Sequence, residues 1–284
     1  MTIKAQDVKA LREKTGLGMM ECKKALQEAN GNLDDAIKNL RKSSALKAEK
    51  KASRTAVEGI ILSNLSNGEI IFVEVNCETD FVAKDDNFIS FCNETLNNAI
   101  EQSPKENLLE LVSKSMEDQR MSLVQKIGEN IIIRKVEKVS GEILESYIHS
   151  NNKIAAGVSL QEGSKDVAKE IAMHIAATNP LVISPGDLDE SYIDSEREIF
   201  RSQVEKENKP EEIKEKMIEG KLNKQLADVS LLKQPFVKDP SKTVEVFLEE
   251  SNAKISSFVR LEVGEGIEVE KKDFAEEVQS QLES

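Results

Sequence analysis

Ile70-Ile71-Phe72-Val73-Glu74-Val75 runs without interruption into Asn76-Cys77-Glu78-Thr79-Asp80-Phe81-Val82-Ala83-Lys84, and the reading of this junction decides the architecture around it. An apolar run of this length and composition is a strand. A polar Asn stops it, and a few residues later an acid and an aromatic stand side by side, on a short rigid turn before the next helix. An exposed Phe is costly to solvate, so Phe81 has two readings. It is a wedge for a partner's pocket, or it folds back into its own core, where most Phe residues lie. In the first reading the pairing with Asp80 describes a surface that both pries packing apart and perturbs a charge.

Working outward, Val57 to Leu65 and Ile70 to Val75 flank Ser66-Asn67-Gly68, a hairpin signal. Asp85 to Gln102 is a helix with Phe88, Cys92, Leu96 and Ile100 repeating every four residues. Leu108 to Gly128 is another, with Leu109, Val112, Met116, Leu123 and Ile127 on one side. The β-branched run Ile131 to Val139 is a strand that returns to the sheet. A second hairpin follows, Leu144 to His149 and Ile154 to Leu160 around Asn151-Asn152, and then a helix from Val167 to Thr178. Hairpin-then-helix therefore occurs twice. The chain reads as α+β and multidomain, with two related core halves over 55–140 and over 141–186 with 229–263.

The remaining segments are helical. Residues 1–54 read as a three-helix, ubiquitin-associated-type bundle, with Gly16, Gly18 and Asn30-Gly31-Asn32 as breaks and Met20, Ala25, Leu26, Leu33, Ile37 and Leu40 as apolar positions. Its tail, Lys42 to Arg54, grades into a solvated linker. Over 187–228 charge dominates, and the apolar residues thin to Ile193, Ile199, Phe200 and Val204, then Ile213, Met217, Leu222 and Leu226, on either side of Lys209-Pro210. That is an antiparallel helical hairpin with a thin seam, inserted before a helix at Val244 to Leu248 and a last strand at Ile255 to Val263. Such an arm is self-contained or a homodimer contact. A C-terminal module, 264–284, ends on a helix with Phe274, Val278 and Leu282.

Composition excludes several function classes. The 284 residues carry 39 basic and 52 acidic side chains, a net charge of −13, which argues against direct nucleic-acid binding and for a protein partner. Cys22, Cys77 and Cys92 have no paired spacing, so no disulfide framework or CxxC metal site is expected, and the thiols fit a reducing, cytoplasmic setting. No stretch is apolar enough for a membrane span. His149 and His174 are too few for a zinc pattern, and His174, between small apolar residues, reads as a satisfied core residue. No glycine-rich phosphate cradle follows a strand, and Cys77 as a nucleophile has no evident base. No catalytic, metal or cofactor site is therefore expected.

Six strings carry a family resemblance: Leu11 to Leu26, Glu74 to Lys84, Ala172-Met173-His174-Ile175-Ala176-Ala177, Gln234-Pro235-Phe236-Val237, Pro240-Ser241-Lys242-Thr243-Val244 and Val263-Gly264-Glu265-Gly266-Ile267. In that order they resemble the signatures of elongation factor Ts, the guanine-nucleotide exchange factor of the GTPase elongation factor Tu. The resemblance implies a protein that makes and breaks no covalent bond and needs no cofactor. It implies that Thr79, Asp80, Phe81 and Val82 enter the partner's GTPase domain near its magnesium site, and that Leu11, Met19 and Met20 dock on a helix of that domain. It further implies a loop contact by Phe236 and Val237, and it places His149 in the half that meets another partner domain. An adaptor that binds a protein tail through residues 1–50 alone is the rival from another class, and it would not need the Asp80-Phe81 turn.

Overall fold

The computed structural model describes residues 3–268 except Pro104; the expected helix of Phe274, Val278 and Leu282 lies outside the described residues. Two compact units divide the chain. One runs to Leu62, resumes over 73–136 and takes in the segment that begins at Glu262; the other comprises 63–72 and 137–261. The cut differs from the one read in the sequence: the bundle stays with the first unit, and the tip of the first hairpin counts with the second.

The first unit opens with α1 (Ala5–Thr15), α2 (Met19–Glu28) and α3 (Leu33–Lys51). Val8, Leu11, Leu17, Cys22, Leu26, Ala36 and Leu40 form their common core. Asn32 starts α3 by accepting the N–H groups of Asp34 and Asp35, and those two carboxylates lie where the helix dipole favours negative charge. The tail read as helix grading into a solvated linker is helical to Lys51, and it is partly buried. α3 continues to Lys51 because Ser44 and Ala48 prolong the inward row begun by Leu40. The Ser44 hydroxyl hydrogen-bonds Gln125, and Glu21 accepts from Lys47 Nζ at 2.8 Å and from Gln125 Nε2 at 3.4 Å. The Lys47 contact, chiefly, holds the Glu21 carboxyl below its usual range. Lys47, at least, thus serves an internal contact.

β1 (Glu58–Ser66) and β2 (Glu69–Cys77) form the hairpin, turning through Asn67 and Gly68, both at positive φ as a two-residue primed turn requires. β2 is the middle strand of the sheet β1-β2-β3, and all residues from Ile70 to Cys77 are buried. This is why the run is apolar but for Glu74 and Asn76, and it corrects the expectation that Asn76 stops the strand. Asn76 lies inside it, with Nδ2 donating to the Ala56 carbonyl at 3.1 Å. Glu74, fully buried, pairs with Arg134 at 2.9 Å and accepts the Gly264 N–H at 3.0 Å. Arg134 also donates to the Glu265 carbonyl. α4 (Asp86–Gln102) buries Phe88, Phe91, Cys92 and Leu96. α5 (Leu108–Ile127) buries Leu108, Val112, Met116, Leu123 and Val124, and Leu109, expected on that side, faces solvent. β3 (Ile132–Ser140) completes the sheet.

The second unit repeats the plan. β4 (Ile143–Ile148) and β5 (Ile154–Glu162) pair antiparallel from Ile143↔Leu160 to Ile148↔Ala155. α6 (Lys165–Thr178) follows, started by the Ser164 side chain. Next come α7 (Glu190–Glu205), α8 (Glu211–Asp228), the short pair β6 (Pro235–Phe236) and β7 (Asp239–Thr243), α9 (Val244–Glu250) and β8 (Lys254–Glu262). β8 joins β5, giving the order β4-β5-β8. In each sheet the third strand pairs with the second strand of the hairpin after a helical passage, as the two-half reading requires. The core gathers Val158, Leu160, Ile171, Ile175, Leu231, Phe236, Val244 and Leu248.

α7 and α8 pack on each other as the expected hairpin, and its ends meet where Val182 bridges Ser230. The seam is thinner than its spacing suggests. Val204, Ile218 and Leu222 are buried, while Ile199 and Ile213 are exposed and Arg197 bridges Asp194 and Glu219 over the surface.

The continuity of α3 generates a test. Ala48→Glu places an unpaired carboxylate in the buried row, so urea unfolding is expected to show a loss of about 3 kcal/mol or more. Leu46→Glu, on the exposed side of the same helix, should stay within about 0.5 kcal/mol. Equal, small effects would mean that the segment is solvated after all.

Candidate functional site

The turn that follows β2 is short because both its ends are committed. The strand is fixed in the sheet to Cys77. On the far side the carbonyls of Thr79 and Phe81 accept from Ala83 and Lys84 N–H at 3.2 and 3.1 Å, which winds Val82–Lys84 into a single 3-10 turn. Asp85 then starts α4 by accepting the Asn87 and Phe88 N–H groups at 2.9 and 3.3 Å. Hydrogen bonding, chiefly by Asn87, holds the Asp85 carboxyl below its usual range. Between these anchors Phe81 is thrown outward and is 81% exposed, which overturns the reading that it folds into its own core. Beside it Asp80 Oδ2 accepts from Lys84 Nζ at 2.8 Å, and this contact raises the Lys84 pKa.

A residue that the sequence does not flag holds this turn from outside. Gly128 ends α5 in the left-handed conformation, φ 92°, and the reversal presents Glu129. Glu129 Oε2 accepts the N–H groups of Glu78 and Thr79, both at 3.0 Å, and Oε1 accepts the Thr79 hydroxyl at 2.7 Å. In return Glu78 Oε1 accepts the Asn130 N–H at 2.6 Å, and its other oxygen lies 3.6 Å from Arg54. Asn130, buried, donates through Nδ2 to the Arg54 carbonyl at 2.8 Å. The only local signal was Gly-Glu-Asn at a helix end; its partners lie some fifty residues upstream.

The other expected residues separate by burial. Met19 and Met20 stand at the start of α2 and are exposed, Met20 to 75%, so Met20 is no core residue; Cys22, Ala25 and Leu26 fill that role. Leu11 is fully buried in the bundle core. Cys77 is buried with its thiol donating to the Thr79 carbonyl at 3.2 Å, which closes it to a substrate. In the second unit His149 is exposed at the β4–β5 turn, with Nδ1 3.1 Å from the Tyr147 hydroxyl. Phe236 is 2% exposed, stacks on Phe247 at 4.3 Å between centroids, and belongs to the core, whereas Val237 at the β6–β7 turn is exposed.

Buried His174 ties that turn to α6. Its Nδ1 accepts the Val237 N–H at 3.2 Å, so Nε2 carries the proton and donates to Gln234 Oε1 at 2.9 Å. Burial pushes the His174 pKa down, with the Gln234 bond opposing in part. No group of three or more His, Cys, Asp or Glu suited to a metal is present among the described residues, and no described helix is long and apolar enough to cross a membrane.

Such a molecule, with a helical bundle and two related α+β halves, is of the α+β multidomain class. Residues 78–265 match the family model for elongation factor TS. Curated relatives named elongation factor Ts are similar over nearly the whole chain. The one from Marinobacter nauticus is 51% identical over 97% of this chain and 96% of its own, the one from Hahella chejuensis 48% over 99% and 98%, and the one from Pasteurella multocida 48% over 97% of each. The chain belongs to the elongation factor Ts family, the exchange factors of translation elongation.

Two measurements check this geometry. Phe81→Ala should leave the unfolding free energy within about 0.5 kcal/mol, whereas Phe236→Ala should cost about 3–5 kcal/mol. A large loss for Phe81→Ala would return that ring to a core. The second concerns pH. Unfolded His174 titrates near 6.5 and the folded pKa is lower, so its contribution to stability is full above that value and is lost as pH falls through the folded pKa. The urea midpoint should therefore drop as pH falls below about 6.5, and His174→Gln should flatten that part of the profile.

Proposed function

We propose that this protein binds elongation factor Tu and promotes release of GDP from it during translation elongation in the cytoplasm, without covalent chemistry of its own. The observation that carries the reading is the placement of Phe81: a large apolar ring, 81% exposed, on a turn fixed at both ends. A side chain so costly to hydrate is suited to a pocket on another molecule. In this reading Thr79 to Val82 enter the GTPase near its magnesium site, Phe81 fills a gap between two helices, and Asp80 helps to shift those elements. Magnesium bridges the nucleotide phosphates, so disturbing its shell weakens their hold.

Met19 and Met20 supply an adaptable surface for a helix of the same GTPase domain. Val237 and His149 offer contacts from the second unit, while buried Leu11 and Phe236 serve as core supports of the elements that carry the exposed residues. Exchange then follows from linkage. A factor that binds the nucleotide-free GTPase more tightly than the loaded one must weaken nucleotide binding by the same factor.

Release of fluorescent GDP from elongation factor Tu is the test. Substoichiometric protein should raise the release rate well above the spontaneous one. Phe81→Ala should lower the rate at saturating factor by about tenfold or more, equal to about 1.4 kcal/mol. Met20→Ala should act mainly by raising the concentration needed for half-maximal effect. Release at the spontaneous rate with saturating wild-type protein would end the assignment.

A further inference from the structure

The Phe81 turn is short, exposed and apolar at its tip, and its 3-10 hydrogen bonds join it only to the residues that follow. A second constraint, on the side where it leaves the strand, comes from elsewhere. The Glu129 carboxylate takes up two successive backbone N–H groups and the Thr79 hydroxyl, and Glu78 answers by accepting the Asn130 N–H. Hydrogen bonds to an ionised acceptor are the stronger kind, and a reciprocal set fixes orientation as well as distance. The same junction reaches the bundle. Asn130 Nδ2 donates to the Arg54 carbonyl, the Arg54 guanidinium faces Glu78, and Lys51 Nζ donates to the Gly128 carbonyl. Three segments, the end of α3, the 128–130 turn and the 78–79 turn, therefore meet in one polar junction, with buried Asn130 at its centre.

We infer that Glu129 is a positioning residue for exchange: it touches no partner, and it holds Thr79 so that Phe81 is presented in a single pose. This rests on the function proposed above. A wedge acts only if it enters its pocket in the right orientation, since a flexible tip spends part of its binding energy on being ordered and a misplaced one loses rate steeply. The two N–H groups and the hydroxyl that converge on Glu129 restrict this freedom on the strand side, as the 3-10 turn does on the helix side. Without the carboxylate, the N–H groups of Glu78 and Thr79 turn to water and the tip gains alternative conformers, while Cys77 stays fixed in the sheet and Asp85 at the start of α4.

A double-mutant cycle in the full-length chain tests this. Glu129→Ala is expected to lower the saturating rate of GDP release from elongation factor Tu about tenfold, with the concentration for half-maximal effect changed much less. Glu129→Gln, which keeps one acceptor oxygen at the same reach, should recover part of the loss. In a Phe81→Ala background Glu129→Ala should add almost nothing, because the group it positions is gone. Losses that multiply in the double variant, or undiminished exchange by folded Glu129→Ala, would overturn the inference. A drop in melting temperature matched by proportionate loss in both backgrounds would likewise overturn it and make Glu129 a stability residue. Failure of the wild-type protein to accelerate release would instead refute the underlying function, so the two failures are distinguishable.

Discussion

An exposed aromatic is useful only where the chain beneath it cannot move, and that constraint organises the first unit. β2 is buried on both faces and ends at Cys77, Asp85 fixes the start of α4, and the seven residues between have little slack. The remaining freedom is removed by a carboxylate from a separate turn. Both oxygens of Glu129 are committed to the backbone and hydroxyl of 78–79, and the turn that carries it is itself fixed by Gly128 and Asn130. Rigidity at the tip thus comes from three ordinary devices, a central strand, a capped helix and a helix C-terminus, brought to one point.

The second unit handles its exposed turn differently. Val237 stands on a two-strand ribbon whose preceding residue, Phe236, is driven into the core and stacked on Phe247. A neutral imidazole below accepts the Val237 N–H. One unit steadies its tip with a charged acceptor at the surface, the other with aromatic packing and a buried neutral ring. Salt should therefore act on the two tips unequally, since the first depends on a carboxylate at the surface and the second on a buried, neutral imidazole.

Much of this was legible in the residues. The hairpins, the helices from Asp85 and Leu108, the repeated hairpin-helix order and the charged arm follow from apolar period and turn residues, because each is a local property. What failed was local pattern used to judge distant contacts. Lys42 to Arg54 looks like a solvated linker by composition, yet Ser44 and Ala48 are buried, because Gln125 and its neighbours supply a surface that lies eighty residues away in sequence. Leu109 fits the helical spacing as well as Leu108 does, and only the direction of the neighbouring elements separates them. Glu129 and Asn130 read as an ordinary helix end. Met20 and Leu11 are both apolar and both fall in one matched string, and burial alone assigns one to the surface and the other to the core.

The contact between Glu74 and the segment at 264–265 has a consequence for how the molecule is made. A chain leaves the ribosome from its N-terminus, and domains generally fold as they emerge. β2 can pair with β1 early and with β3 once residue 140 is out, and Arg134 arrives in time to meet Glu74. The Gly264 N–H that joins Arg134 on Glu74 Oε1, and the Glu265 carbonyl that Arg134 also meets, come only after the whole second unit has been synthesised. The first unit to emerge is thus among the last to be finished. Its buried carboxylate waits for about 190 residues of chain, so premature termination inside the second unit leaves behind a first unit that lacks its final fastening.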